Sequence, residues 1–221
     1  MRACVNGSRK RLESAAFPLK IEFMGSQFSG AETAAEFLAG QLLIAMPGIG
    51  DPRFERSLIL VCAHDEQHAM GVAVNQPVAG LTVPDLLERL NITATIDAPP
   101  DLVLLGGPVE RERGFVLHTT DYRSQEMTLD ITEGVALTAT RDVLEAMASD
   151  KGRPRRSFLA LGYAGWGAGQ LEREIRENVW LTCPPDEELL FGSDHEAKWS
   201  KALAKLGVDP RLLSAQTGGR A

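Results

Sequence analysis

No uncharged apolar run in this sequence approaches the roughly 18 residues that a membrane-spanning helix needs. The longest strongly apolar stretches, Leu42–Met46 and Leu58–Ala63, have the size of single strands, so the expectation is a soluble protein that does not cross a bilayer. Cysteine is scarce. Cys4, Cys62 and Cys183 are an odd number scattered along the chain, which is no disulfide framework and makes the cytoplasm the expected compartment. Cations are short as well. The 23 Lys and Arg stand against 30 Asp and Glu, a net charge of −7, and this disfavours an extended nucleic-acid surface. Aromatic residues make up only 6%. Three signatures of common chemistries are missing too: G-x-G-x-x-G, the Lys-Ser or Lys-Thr of a P-loop, and the G-x-S-x-G nucleophile elbow. What is present is ordinary globular composition. A chain of 221 residues, 44% hydrophobic and 24% charged, can bury a sizeable core in one large domain.

Residues 1–20 differ from the rest: Arg2, Arg9, Lys10, Arg11 and Lys20 face Glu13 alone, a net +4 that leaves −11 for the remainder. Residues 1–30 read as a disordered basic extension that can be deleted without loss of stability, or as an upstream start with Met24 as the initiator. Ordered structure is expected from about Ala31, with a short helix Ala31–Ala39 stopped by Gly40. One domain over 31–213 and a flexible tail over 214–221 complete the division.

Beyond Gly40 the chain alternates strand and helix patterns without repeats. Strands are expected at Leu42–Met46, Ser57–Ala63 and Met70–Val74, the last two forming a hairpin around His64–His68. Thr82 caps a helix through Asn91, with Pro84 in its first turn. Leu102–Leu105 and Phe115–Thr119 flank the turn Gly106-Gly107-Pro108, and Met127–Ile131 pairs with Val135–Thr138 across Thr132-Glu133-Gly134. A helix follows from Thr140 to about Ala148, then a strand Phe158–Tyr163, a glycine-rich turn, a helix from Gln170 and a strand Val179–Cys183. Ser193 and Glu196 read as a capping box for a last helix carrying Trp199, Ala202, Leu203 and Leu206, stopped by Gly207. Nine strands and about six helices, with hairpins and crossovers intermixed, indicate an α+β fold on a mixed sheet.

The candidates for chemistry are incomplete sets. The stretch from Gly162 to Glu172 is glycine at nearly every second position, but Glu172 and Glu174 in the following helix would repel phosphate. It reads equally as a turn that packs Trp166. Cys62, His64 and His68 have a C-x-H-x3-H spacing with no second cluster to complete a tetrahedral zinc site, so no metal or other cofactor is expected. His118 beside Asp121 is the single candidate general base. No exposed nucleophile accompanies it, since Ser57 and Ser157 begin buried strands and Cys183 has no cation beside it. Asn75-Gln76-Pro77 is a turn first and a polar contact second. Lys151, Arg153, Arg155 and Arg156 form a solvated basic loop without interleaved aromatics.

Together these segments resemble the YqgE/AlgH family of bacterial proteins. The resemblance runs through Gly40–Pro47, Asp51–Ser57, Cys62–Asp65 and Ala69–Pro77. It continues through Leu105–Val109, Arg113–His118, Leu161–Ile175 and Asn178–Leu181, in order, over roughly residues 38–206. His68 departs from it, falling where the family more often has a small residue. The resemblance implies a single α+β domain whose twisted, bifurcated sheet folds into a pseudo-barrel with helices outside. It brings no defined reaction. The transcriptional-regulator label of some members comes from an effect on alginate production, and no helix-turn-helix with a basic recognition helix is present here.

The functional expectation is a cytoplasmic binding or regulatory module for a protein partner or small molecule. Its surface would draw on Asn75, Pro77, Gly106, Gly107, His118, Gly165, Trp166 and Gln170. The alternatives are an enzyme acting on a small metabolite through His118 with a carboxylate or Asn75, and a transcription-associated regulator. Specific duplex-DNA binding is not expected: any contact through Arg153, Arg155 and Arg156 would be weak and lost with salt.

Overall fold

The computed structural model describes residues 37–96, 101–150 and 152–213. The expectations for residues 1–30, for the helix over residues 31–36 and for the tail 214–221 lie outside these. Residues 37–39, the described end of that expected helix, are not helical; they lead into a turn at Gly40.

Among the described residues, ten strands form one sheet. Its main path begins with β1 (Leu42–Ala45), β2 (Leu58–His64) and β3 (His68–Ala73), and β10 (Trp180–Cys183) lies outside β1. Beyond β3 come β9 (Ser157–Gly167), β6 (Val109–Thr119), β8 (Val135–Thr138) and β7 (Leu129–Thr132). These pairings are antiparallel. The sheet branches at β9. The edge that pairs with β3 over Ala164–Gly167 pairs earlier, at Ala160 and Leu161, with β5 (Leu102–Leu105), which is parallel to it and carries β4 (Pro77–Thr82).

The apolar runs are continuous because the sheet is covered on both faces. In β1, Leu42 and Ile44 join one cluster while Leu43 and Ala45 join another, and all four are fully buried. The first face is covered by α4 (Glu187–Phe191) and α5 (His195–Lys205), which contribute Leu189, Leu190, Trp199, Ala202 and Leu203. The opposite face is covered by α1 (Val83–Arg89), α2 (Arg141–Met147) and α3 (Gln170–Arg176).

The pseudo-barrel is corrected: β10 and β7 end the path and do not pair with each other. A barrel fills its interior with the sheet's own side chains. Here helices occupy both faces, so the sheet has no need to close on itself.

Local signals account for most ends. The hairpin turn between β2 and β3 is held by Asp65, whose carboxylate accepts from the backbone N–H groups of Gln67 and His68. Thr82 and Asp85 form a reciprocal capping box at α1. At α5 the expected Ser193 box is replaced. Asp194 is the N-cap and accepts from the Ala197 N–H at 3.1 Å. Leu206 falls outside α5 and is 40% exposed.

The largest departure from the sequence reading is the glycine-rich turn, which is strand. β9 runs through to Gly167 and pairs His68 with Gly167 and Met70 with Gly165. Glycine at alternate positions is then a strand period, not a loop composition. The break in it is Gly162, at φ +71°. Before Gly162, Phe158 and Ala160 face the α4–α5 side and Leu159 and Leu161 the other. After it, the odd-numbered Tyr163 packs with the α4–α5 cluster, and Ala164 and Trp166 with the opposite one. One residue at positive φ has inverted the alternation, opposite the register shift that Val109–Gly114 of β6 makes against it.

Candidate functional site

That inversion opens a cavity. Tyr163 and Gly165 come onto the face that also carries Met70 of β3, Phe115 of β6 and Leu137 of β8. Between these strands lies a cavity of about 470 Å³, lined also by Leu129, Met127, Ala139 and Thr140, with His68, Ala69, Arg113 and Trp166 completing the wall. Gly165 contributes space: a Cβ there would lie 3.4 Å from the Tyr163 ring. No lining residue belongs to a helix, because α5 packs over β1 and β2 and not over this part of the sheet. The volume falls within the ~300–1,000 Å³ of small-molecule sites, whose walls are typically apolar with a few placed polar groups.

The polar groups on the wall are few and constrained. Arg113 is 8% exposed. Its Nη1 donates to Glu110 Oε2 at 2.9 Å, and its guanidinium carbon lies 5.4 Å from the centre of the Phe115 ring. Its Nε is enclosed without a hydrogen-bond partner among the described residues. Tyr163 stacks edge-on against Phe115 at 5.9 Å. Burial, reinforced by the Glu110 charge, pushes its hydroxyl above the ordinary tyrosine range, so it stays protonated. Thr140 donates its hydroxyl to Asp142 and therefore accepts from Ser124 at 2.9 Å. His68 sits at the wall beside Asp65, at 3.0 Å.

The eight residues singled out from sequence do not converge. Gly165 and Trp166 line the cavity; the other six lie elsewhere. Asn75 ties β3 to the start of β2: its Oδ1 accepts from the Leu58 N–H at 2.8 Å and its Nδ2 donates to the Arg56 carbonyl at 2.9 Å. Pro77 begins β4 at the surface. Gly106 and Gly107 let the turn cross β9, where a Cβ on Gly107 would come within 2.1 Å of the Tyr163 carbonyl carbon. Gln170 accepts from the Gly167 N–H and donates to Glu174.

His118 is fully buried. Its Nδ1 faces the Thr119 carbonyl at 2.9 Å, which only accepts, so Nδ1 carries the proton. Its Nε2 then accepts from the Thr138 hydroxyl at 2.8 Å, and Thr138 in turn accepts from Thr128 at 2.9 Å. Burial lowers its pKa, which keeps the ring neutral.

The Cys62, His64 and His68 spacing dissolves into separate roles. Cys62 is 2% exposed, and burial pushes its thiol up to about 12. His64 accepts from the Leu38 N–H through Nδ1, so its Nε2 donates to Glu172 at 2.8 Å. In the basic loop, Arg155 and Arg156 both pair with Glu187, at 3.1 and 3.2 Å.

Sequence reasoning missed Arg113, Phe115, Leu129, Leu137 and Met70. A signal existed in Arg113 and Phe115, two apart on one strand and hence on one face. The face they share is fixed by the pairing of Phe115 with Ala160 of β9, both in the α4–α5 cluster, and the sequence pattern does not mark that pairing.

The AlgH-like family model (DUF179) matches residues 42–211. The UPF0301 protein of Caulobacter vibrioides strain NA1000 / CB15N is 67% identical over 186 residues, covering 84% of this chain and 95% of its own length. That of Methylobacterium nodulans is 50% identical over 196 residues, with coverages of 86% and 93%. The solution structure of the AlgH protein from Pseudomonas aeruginosa superposes with a TM-score of 0.67 at 41% identity, spanning 86% of this chain and all of that one. A Corynebacterium diphtheriae protein at 17% identity shares the fold alone, with a TM-score of 0.62 over 83% and 95% of the two chains. The matched region spans all the strands that build the cavity and reaches past α5, so the chain belongs to the AlgH-like family of bacterial proteins.

Proposed function

We propose that this protein is a cytoplasmic binding module that takes up a small molecule in the cavity between β3, β9, β6 and β8. The observation that carries the reading is the cavity itself: about 470 Å³ held open between buried strands, with an apolar wall and a nearly buried arginine. Free thiols at Cys62 and Cys183 support a reducing compartment. Asn75 and His118 support the fold of this module, since both are committed to hydrogen bonds within it. Gly165 and Trp166 belong to its ligand wall.

The test uses 1-decanol, a neutral apolar probe, on the full chain. A ligand that binds only the folded state raises the unfolding temperature as its concentration passes the dissociation constant. Decanol is expected to raise it, and Leu129→Trp, which fills the cavity from β7, is expected to abolish the effect while the variant remains folded. An unchanged midpoint in the native chain, or an equal shift in Leu129→Trp, would contradict the reading.

A further inference from the structure

We infer that this cavity takes an uncharged apolar molecule and rejects anions and cations of the same size. The inference rests on the cavity reading above and names the class of ligand. Two basic side chains lie on the wall, Arg113 and His68, and each stands against a carboxylate. Arg113 donates from Nη1 to Glu110 Oε2 at 2.9 Å, and its Nε has no accessible surface, so the cavity does not reach that edge. His68 Nδ1 lies 3.0 Å from Asp65 Oδ1, which balances any positive charge on the ring. The Trp166 indole N–H is directed to Glu174 of α3 at 2.9 Å, on the opposite face. Thr140 gives its hydroxyl proton to Asp142 and accepts from Ser124 at 2.9 Å. Tyr163 brings an uncharged hydroxyl, since burial raises its pKa. The polar groups of the wall therefore serve the fold, and none of them offers a charge without its counter-charge.

An ion that enters such a site gives up its hydration and meets no unbalanced opposite charge, which is steeply unfavourable. Because Arg113 and Glu110 form a pair, attraction to one is offset by repulsion from the other, whichever sign the ligand carries. An uncharged apolar molecule loses little hydration. It gains contact with Met70, Phe115, Leu129 and Leu137, none of which requires a polar partner. Met70 and Met127 are unbranched and polarizable, and adapt to rings and chains alike.

The experiment is calorimetric titration of the full chain at pH 7 with three probes that share one ring system: 2-naphthalenemethanol, 2-naphthoate and 2-naphthalenemethylammonium. An apolar cavity of ~150 Å³ already holds benzene. A two-ring body therefore enters the 470 Å³ here whole, and carries its substituent in with it. The alcohol is expected to bind roughly tenfold or more tightly than either ion. Glu110→Gln leaves the Arg113 charge unbalanced, and should raise the affinity for naphthoate and lower that for the ammonium probe, each several-fold. Retained binding of the alcohol reports that this variant is folded; if it does not fold, the ranking in the native chain decides. Either ion binding as tightly as the alcohol, or a ranking unmoved in folded Glu110→Gln, overturns the neutral class and leaves the cavity reading to stand on 1-decanol. Failure of all three probes overturns the class where 1-decanol still raises the unfolding temperature, and overturns both readings where it does not.

Discussion

Two polar residues, the buried His118 and the half-buried Glu174, sit in hydrogen-bond arrangements whose worth is measurable. His118 is held neutral in one tautomer by an acceptor on Nδ1 and a donor on Nε2. Its pKa in the fold is depressed below the ordinary 6.5 by burial. The unfolded chain therefore binds the proton first, and the stability that His118 contributes is lost as pH falls below 6.5 towards the folded value. His118→Asn should cost about 1–3 kcal/mol at neutral pH through broken buried hydrogen bonds. The gap in urea midpoints between native chain and variant should narrow on acidification; a constant or widening gap would contradict this. Glu174 is the second case. Its Oε2 accepts both indole N–H groups, from Trp166 at 2.9 Å and Trp180 at 2.8 Å, and its Oε1 accepts from Gln170 at 2.8 Å. A glutamine there must point its amide N–H groups at one of these donors. Glu174→Gln is thus expected to cost about 1–3 kcal/mol, read as a drop in midpoint at unchanged slope.

Among the elements, β9 decides the architecture. It pairs with β3, β5 and β6, and the positive φ at Gly162 decides which of its own side chains reach the cavity. A side chain at Gly162 would be strained at φ +71°, and its Cβ would lie 2.7 Å from the carbonyl oxygens of both Gly107 and Val109. Gly162→Ala is expected to cost roughly 3 kcal/mol or more, with decanol binding lost. Gly134→Ala, in the open turn between β7 and β8 with nothing within 4 Å, should change stability by no more than about 1 kcal/mol. Equal midpoints for the two variants would contradict the role given to Gly162. At α5, Asp194→Ala should cost about 1 kcal/mol as the loss of an N-cap, and Ser193→Ala much less; the reverse order would restore the capping box expected from sequence. The strands between Leu42 and Ala73 were legible because their apolar runs are bounded by Pro47, Gly48 and the polar turn at Asp65. The Ala164–Gly167 end of β9 was not. Glycine serves both turns and strands, and only the partner strand β3 distinguishes them.

At the scale of the whole molecule, helices on both faces leave the sheet open at β10 and β7. Among the described residues no helix lines the region over β3, β9, β6 and β8, and there the cavity forms. Fold class and family were readable from the sequence, since motifs such as Leu105–Val109 and Arg113–His118 keep their order and spacing. The cavity was not, because its walls come from five strands far apart in sequence and its orientation depends on one inverted residue. Distinctive residues such as Asn75, Gly107 and Gln170 hold backbones together, whereas the cavity wall is made mostly of ordinary Leu, Met, Phe and Tyr. The most direct test of the account is a methyl NMR titration of the full chain, carrying labelled methionine methyls, with decanol. Met70 and Met127 line the cavity, while Met147, the last residue of α2, packs in the core of the opposite face. The account predicts saturable shifts at Met70 and Met127 and none at Met147; shifts at Met147 alone, or none at any of the three, would contradict it.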